Sequence, residues 1–152
     1  MTGTMTDDTI YTLIPHRPPF LFIDRVVELT TDRAVTTKRI DPDAEFFRGH
    51  YPGQPIMPGV LLCEAAFQTG ALLLAHRVGI SPADRRVPVL TRITEARFKQ
   101  VVLPGQTLSI EVQFDEQLDE AYFLTGRVSV EGKLAVRVSF ACMMTVGKGP
   151  AT

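Results

Sequence analysis

Residues 58–78 constrain the fold more than any other segment, because they are apolar almost all the way round and carry a single carboxylate, Glu64. Pro58 suits the first helical position and Gly79 supplies a stop signal, so the segment is predicted to be one long helix. A helix with few charges on any face must be enclosed by other elements. Its apolar stretch is too short to cross a bilayer and polar residues interrupt it, so we expect a core helix and no membrane partner.

The flanking sequence supplies the enclosure as β-strands. β-branched and aromatic residues concentrate in two runs before the helix and in four runs after it. Short turns with Gly, Pro or acidic residues separate the last four runs, which favours antiparallel neighbours. The economical arrangement is an α+β fold in which a curved antiparallel sheet of about six strands wraps around one helix. The predicted elements are a short helix at 9–14, strands at 20–29, 34–40, 87–99, 107–117, 121–130 and 133–146, and the long helix at 58–78.

The composition limits the function classes. With 152 residues, of which 45% are hydrophobic and 22% charged, the chain suits one globular domain, with residues 1–8 and 147–152 expected to be flexible tails. A net charge of −1 with scattered Lys and Arg lacks the basic surface that nucleic acid binding requires. The first residues lack the basic start and apolar middle of a signal peptide, which predicts a cytoplasmic protein.

The cysteines and histidines are spaced too widely for a metal site or a disulfide framework. Cys63 and Cys142 lie within apolar segments and are predicted to be small buried hydrophobes. His16 lies in a proline-rich turn and is predicted to be structural. His76 lies near the end of the long helix, where it would complement the helix dipole. Neither is expected to be catalytic, and no metal is expected.

The loop before the helix, residues 49–59, is built for conformational control. Prolines at 52, 55 and 58 fix φ, and glycines at 49, 53 and 59 permit the turns between them. An ordinary Pro/Gly connection is the alternative. His50 stands within this loop, and such a position for a titratable side chain favours a functional site.

Three motifs in order resemble those of the hotdog-fold 3-hydroxyacyl-acyl carrier protein dehydratases of the FabZ type. The first is LIPHRPPFLFIDRV at 13–26. The second is FFRGHYPGQPIMPGVL at 46–61, with Glu64 and Ala65 following in register. The third is EARFK at 95–99, followed by Pro104 and Gly105. The resemblance covers nearly the whole chain and implies a hotdog fold and a hydro-lyase that needs no cofactor.

This chemistry assigns roles to two residues. Dehydration of a 3-hydroxyacyl thioester removes an α-proton and protonates a hydroxide leaving group. His50, with an ordinary pKa near 6.5, suits the base. Glu64, whose pKa the apolar helix is expected to raise, suits the acid. Taken singly, each has an ordinary alternative: a turn histidine, or a helix carboxylate that faces water or pairs with an arginine. Together, on either side of a rigid loop, they favour catalysis.

Two further residues complete the predicted site. The N–H groups at the helix N-terminus are free to bind the thioester oxygen, and Gly59 is the best candidate because it lacks a Cβ. The resemblance implies the same backbone contact. Gln68 lies one turn after Glu64 on the same face, where it either hydrogen-bonds to the carboxylate or simply fills the helix.

The resemblance also implies partners. The substrate would be a (3R)-3-hydroxyacyl chain on acyl carrier protein, in fatty-acid or polyketide synthesis, and two subunits of a homodimer would share each active site, with a trimer of dimers left open. Aromatic side chains that either line an acyl tunnel or belong to the plain core are Phe46, Phe47, Phe67 and Phe98. Basic residues that either dock the acidic carrier or are ordinary solvated charges are Arg39, Arg48, Arg92, Arg97 and Lys99.

Other functions remain open at the level of sequence. A hotdog thioesterase would use Glu64 to activate water and leave His50 incidental. A dehydratase that also isomerises the double bond is distinguished by Asp at the position of Glu64. A subunit that binds acyl chains without catalysis would keep the fold beside an active partner, but the intact His50 and Glu64 argue against this.

Overall fold

The computed structural model describes residues 7–81 and 83–147, which form one six-stranded sheet and one long helix. The helices are α1 (Asp7–Leu13), a short 3-10 helix (Glu45–Arg48) and α2 (Gly59–Val78). The strands are β1 (Arg25–Leu29), β2 (Arg33–Arg39), β3 (Arg86–Phe98), β4 (Thr107–Leu118), β5 (Ala121–Val130) and β6 (Lys133–Val146). The predicted α+β hotdog architecture is confirmed.

The sheet is antiparallel throughout, with the strand order β1-β2-β4-β5-β6-β3. Helix α2 packs against β2, β3, β4, β5 and β6 and buries most of its residues there. By length and composition α2 resembles a membrane-spanning helix, but 67% of its most apolar window is buried inside the fold. It is the core helix that the sequence predicts.

Close packing of α2 on the sheet depends on two glycines. A Cβ on Gly70 would lie 2.7 Å from the ring of Phe140, and a Cβ on Gly126 of β5 would lie 2.9 Å from Ala66 of α2. Helix and sheet therefore approach more closely than side chains at these positions would allow. The same approach places the ring of Phe67 against Phe140, with 4.9 Å between ring centroids.

At two places the start of an element differs from the prediction for a structural reason. Pro58 is the N-cap of α2 and not its first helical residue, while Gly79 ends the helix with φ of 72° as expected. The strand predicted from residue 20 begins only at Arg25, because the backbone N–H of Phe22 bonds to the side chain of Gln68 on α2 and not to a neighbouring strand.

The expected tails fall mostly on residues 1–6 and 148–152, which lie outside the described residues. Residues 7 and 8 belong to α1, so the helix begins inside the predicted N-terminal tail. The N–H of Gly147 donates to the carbonyl of Arg85 at 2.7 Å, which fixes that residue beside β3.

Strand β3 lies at one edge of the sheet and, among the residues that the structure describes, pairs with β6 alone. Ten of its thirteen residues are exposed and the other three are half-buried, so neither face of the strand is covered. Apolar side chains are among them, with Val89, Leu90, Ile93 and Phe98 all at least 38% exposed. A long edge strand with exposed apolar residues is a ready template for pairing with another chain.

Candidate active site

Glu64 lies on the second turn of α2. Its side chain is 22% exposed, whereas Leu62, Cys63, Ala65 and Ala66 around it are buried. Of the two alternatives that the sequence leaves open for Gln68, the structure has the hydrogen bond, since Gln68 Nε2 donates to Glu64 Oε1 at 3.1 Å. The carboxylate is therefore partly enclosed and held from one side.

Gln68 is itself fixed by the backbone of the segment before β1. Its Oε1 accepts from the N–H of Phe22 at 2.8 Å, and its Nε2 also donates to the carbonyl of Phe20 at 3.0 Å. The side chain is fully buried. Because a backbone N–H can only donate and a carbonyl can only accept, these contacts determine which end of the amide is which. The remaining Nε2 hydrogen must then point at Glu64.

His16 approaches Glu64 from the same segment, a contact that the sequence did not predict. Its Nε2 lies 3.8 Å from Glu64 Oε1, and its side chain is 27% exposed. Burial is the main cause of a lowered pKa for His16; the charge of Glu64 raises that pKa and the charge of Arg17 lowers it. The prediction that His16 serves only in a proline turn overlooked this neighbour. Contacts between residues 48 positions apart leave no local pattern.

His50 follows the 3-10 helix, and its backbone N–H donates to the carbonyl of Phe46 at 3.0 Å. Its Nδ1 lies 2.9 Å from the carbonyl oxygen of Ile56. A carbonyl only accepts, so Nδ1 carries the proton in the neutral ring and Nε2 presents its lone pair. The loop therefore holds the imidazole in the tautomer that a base acting through Nε2 requires.

The loop keeps its shape through unusual backbone angles and two anchors. Tyr51 has φ of 58° and Gly53 has φ of 92°, both in the left-handed region. The N–H of Gln54 closes a turn on the carbonyl of Tyr51 at 3.0 Å, and the N–H of Met57 bonds to Val102 at 2.8 Å. The Tyr51 side chain is 61% exposed. The hydrogen bonds fix the backbone of this loop, but the face of the loop that carries the Tyr51 side chain is exposed to solvent.

Gly59 begins α2 directly after this loop. The first N–H groups of a helix have no intrahelical acceptor, and no side chain caps this end of α2. A Cβ at Gly59 would lie 2.8 Å from the ring of Phe98 on β3. The absence of a side chain here thus has a packing reason in addition to the access to N–H groups that the sequence suggested.

The predicted tunnel residues separate into different environments. Phe47 is 7% exposed and packs in the core beside Phe46, with ring centroids 4.6 Å apart. Phe67 packs on Phe140 at the helix–sheet contact. Phe98 is 55% exposed beside Gly59. A cavity of about 970 Å³ between α1, the segment before β1 and the 3-10 helix includes Phe46 in its lining, but neither His50 nor Glu64.

The predicted docking residues are all on the surface. The exposed edge strand β3 carries Arg92 and Arg97, and Lys99 comes directly after it. The last residue of the 3-10 helix is Arg48, and the last residue of β2 is Arg39. Two of them have acidic neighbours, because Arg48 lies 3.6 Å from Glu45 and Arg97 pairs with Glu95. Their positions suit contact with another molecule, and their role in docking remains a prediction.

Comparison with known proteins agrees with this arrangement. The model of the FabA-like domain matches residues 14–139. The 3-hydroxyacyl-[acyl-carrier-protein] dehydratase FabZ of Anaeromyxobacter sp. (strain K) is 39% identical over 136 residues, which are 89% of this chain and 87% of that protein. The FabZ of Variovorax paradoxus (strain S110) is 38% identical over 144 residues, covering 94% of this chain and 96% of the relative.

Solved structures share the fold at low identity. One is the dehydratase heterocomplex ApeI:P of Xenorhabdus doucetiae, with a TM-score of 0.76, 17% identity and 90% of each chain covered. Another is a hypothetical thioesterase protein with coenzyme A from Streptococcus pneumoniae TIGR4, with a TM-score of 0.63, 10% identity, and 82% of this chain and 87% of that one covered. These likenesses establish the fold, and the sequence relatives establish the family. The chain belongs to the FabZ-type 3-hydroxyacyl-[acyl-carrier-protein] dehydratases.

Proposed function

We propose that this protein converts (3R)-3-hydroxyacyl-acyl carrier protein to the trans-2-enoyl product and water, in fatty-acid or polyketide synthesis in the cytoplasm. The observation that carries the proposal is the hydrogen bond between His50 Nδ1 and the carbonyl of Ile56 at 2.9 Å. It leaves the Nε2 lone pair of a neutral imidazole directed away from the loop, as α-proton abstraction requires.

The base and the acid have separate tasks in this reaction. His50 Nε2 removes a proton from the α-carbon of the thioester, and electron density moves into the thioester carbonyl. The C–O bond at the third carbon then breaks as Glu64 donates a proton to the departing hydroxyl, which leaves as water. The reaction leaves His50 protonated and Glu64 deprotonated, and transfer of the abstracted proton from His50 to Glu64 returns both groups to their starting states before the next turnover. No other group is needed for the balance of atoms and charge.

The backbone at the start of α2 supports the charge that develops on the thioester oxygen. The N–H of Gly59 and the dipole of a 20-residue helix both stabilise negative charge at this end. Removing one such donor typically reduces turnover about 100–1,000-fold in enzymes with oxyanion holes. Gly59 is accordingly the proposed backbone donor.

Two subunits share each site in the proposed assembly, with His50 from one and Glu64 from the other. The open outer side of the His50 loop and the exposed apolar residues of β3 support this arrangement. Antiparallel pairing of β3 with the same strand of a second copy would continue the sheet and cover its edge. Whether such dimers assemble further into a trimer of dimers is a separate question that sedimentation would answer.

The carrier protein would dock on the basic residues around the site. Acidic carriers are attracted to positive charge, which raises the rate of encounter. Changing Arg92 and Lys99 to Glu should raise the apparent KM for a carrier-bound substrate far more than for a small thioester analogue. Equal effects on the two substrates would exclude docking at these residues.

An assay of the purified protein tests the function directly. The protein is incubated with 3-hydroxyacyl and enoyl thioesters of several chain lengths, on carrier protein and on coenzyme A. Dehydration and the reverse hydration are followed by absorbance and mass spectrometry, and free thiol is measured in parallel. Enoyl product without free thiol is the expected result. Release of thiol without enoyl product would instead identify a thioesterase.

A further inference from the structure

The contact between His16 and Glu64 has two features that a structural turn histidine does not need. Its Nε2 faces Glu64 Oε1 at 3.8 Å, and its Nδ1 is fully buried with no hydrogen-bond partner among the described residues. Buried N–H groups without an acceptor are rare, since each loses the hydrogen bond that water would provide. The proton of the neutral ring therefore belongs on Nε2, the nitrogen that faces Glu64.

The charges around His16 fit this protonation state. Burial disfavours the imidazolium and is the main cause of its lowered pKa. Glu64, from α2, raises that pKa, and Arg17, from the same segment, lowers it. The Arg17 guanidinium is occupied with the carbonyls of Tyr11, Ile14 and His16 itself. Near neutral pH, His16 is thus an uncharged donor towards one carboxyl oxygen.

Both neighbours of the Glu64 carboxyl group approach the same oxygen. Gln68 Nε2 donates to Oε1 at 3.1 Å, and His16 Nε2 lies 3.8 Å from Oε1. The His16 distance is longer than a hydrogen bond, and such contacts commonly tighten when substrate is bound. Two donors on Oε1 leave Oε2 as the oxygen that can carry the acidic proton.

We propose that His16 is a positioning residue for the dehydration: its Nε2–H joins Gln68 in holding Glu64 Oε1, so that Oε2 carries the proton delivered to the departing hydroxyl. This role rests on the proposed function. His16 does not touch the reacting atoms and exchanges no proton in the reaction. It fixes which carboxyl oxygen is the donor and in which direction that oxygen points, because misplacing a reacting group by about 1 Å can reduce a rate by about 100-fold.

Two substitutions separate positioning from folding. His16→Gln retains an amide N–H of similar reach, whereas His16→Leu retains similar bulk without a donor. We expect His16→Leu to lower kcat by about 10–100-fold with KM little changed and with a displaced pH profile of kcat, and His16→Gln to restore most of the rate. His76→Leu, an exposed histidine of the same helix as Glu64, is the matched control and should keep wild-type activity.

A purely structural role gives a different pattern. It would lower thermal stability in both variants and leave kcat per folded molecule and its pH profile unchanged, which would overturn the proposal. Nitrogen NMR of the wild-type protein provides a second readout that does not depend on activity. Protonation of His16 on Nε2 supports the proposal, and protonation on Nδ1 contradicts it. A protein without dehydratase activity would refute the proposed function, while the NMR result would still decide the contact with Glu64.

Discussion

The two halves of the candidate site are built in opposite ways. Glu64 is held in a closed network, where fully buried Gln68 bonds to it and to the backbone of both Phe20 and Phe22. His50 stands on a loop with one side-chain hydrogen bond, and its neighbour Tyr51 is 61% exposed. The half around Glu64 is complete within one chain. The half around His50 has a defined backbone and an uncovered face.

This difference indicates which parts of the site a single chain completes. A network that crosses from α2 to the segment before β1 joins residues 46 and 48 positions apart and needs no second molecule. The His50 loop lies near the exposed Val60 and the edge strand β3, which together present apolar side chains to solvent. A reaction that must exclude water requires a cover for this face.

The largest expected effect comes from removing the reacting groups of either half. His50→Ala and Glu64→Ala should each reduce turnover by about 100-fold or more, as expected for a general base and a general acid. Steady-state kinetics with a 3-hydroxyacyl thioester provides the measurement. Thermal melting should remain close to that of the wild type. If a variant kept its turnover within a few-fold of the wild-type value, the role assigned to the substituted residue would be wrong.

The hydrogen bonds of Gln68 lead us to expect a loss of both stability and turnover when its side chain is replaced. Gln68→Leu leaves the buried N–H of Phe22 without its partner, and such a loss costs about 1–3 kcal/mol. It also removes the partly buried hydrogen bond to the carbonyl of Phe20. We expect a clear drop in the free energy of unfolding measured in denaturant, together with lower turnover. The control is Gln117→Leu, an exposed position whose side chain bonds only to the carbonyl of Asp119 in the described structure. Equal stability of the two variants would show that the network contributes little.

Gly59 tests the junction between the two halves. In Gly59→Ala the new Cβ meets the ring of Phe98 at 2.8 Å, so this half-exposed ring must move away from the start of α2. Because the ring can move, the expected cost in stability is small, and the effect should appear as about tenfold lower turnover through a disturbed oxyanion donor. Gly49→Ala is the matched control, since a Cβ there meets nothing within 4 Å. Equal turnover in the two variants would contradict the role of Gly59 as the backbone donor to the thioester oxygen.

The smallest expected effect is a change in the pH dependence of stability. The pKa of His16 is lowered from its ordinary value of 6.5 in the folded chain, so the unfolded chain binds more protons below that pH. The stability contributed by neutral His16 is present above pH 6.5 and is lost as the pH falls through the folded pKa. The free energy of unfolding of the wild type should therefore fall relative to that of His16→Gln as the pH drops below 6.5. Parallel curves would contradict burial of a neutral His16.

The sequence was sufficient for the fold because the relevant signals are local. The nearly all-apolar composition of α2 is one continuous segment, and the stop at Gly79 and the turns between the last strands each lie within a few residues. The choice of His50 and Gly59 as candidate site residues rests on the same kind of local signal, and their roles stay predictions. The bond between Gln68 and Glu64 was one of two open alternatives, since residues four apart share a helix face.

The rest of the site depends on tertiary contacts that no short pattern contains. His16 reaches Glu64 only because the segment before β1 leaves the sheet and bonds to Gln68. The same path shortens the strand predicted from residue 20. Phe67 and Phe98 have similar chemistry in the sequence, yet one packs on Phe140 and the other is 55% exposed beside Gly59. Their environments follow from the approach of α2 to the sheet.

Subunit mixing tests the central claim, that the open half around His50 is completed by the Glu64 half of a second chain. His50→Ala and Glu64→Ala proteins are combined in equal amounts under conditions that exchange subunits, and dehydration is measured. Random exchange makes half of the dimers mixed, with one intact pair in each, so activity should recover to about a quarter of the wild-type value. Activity that stayed at the level of the separate variants, with exchange verified by mass spectrometry, would contradict the shared site and place both residues in one subunit.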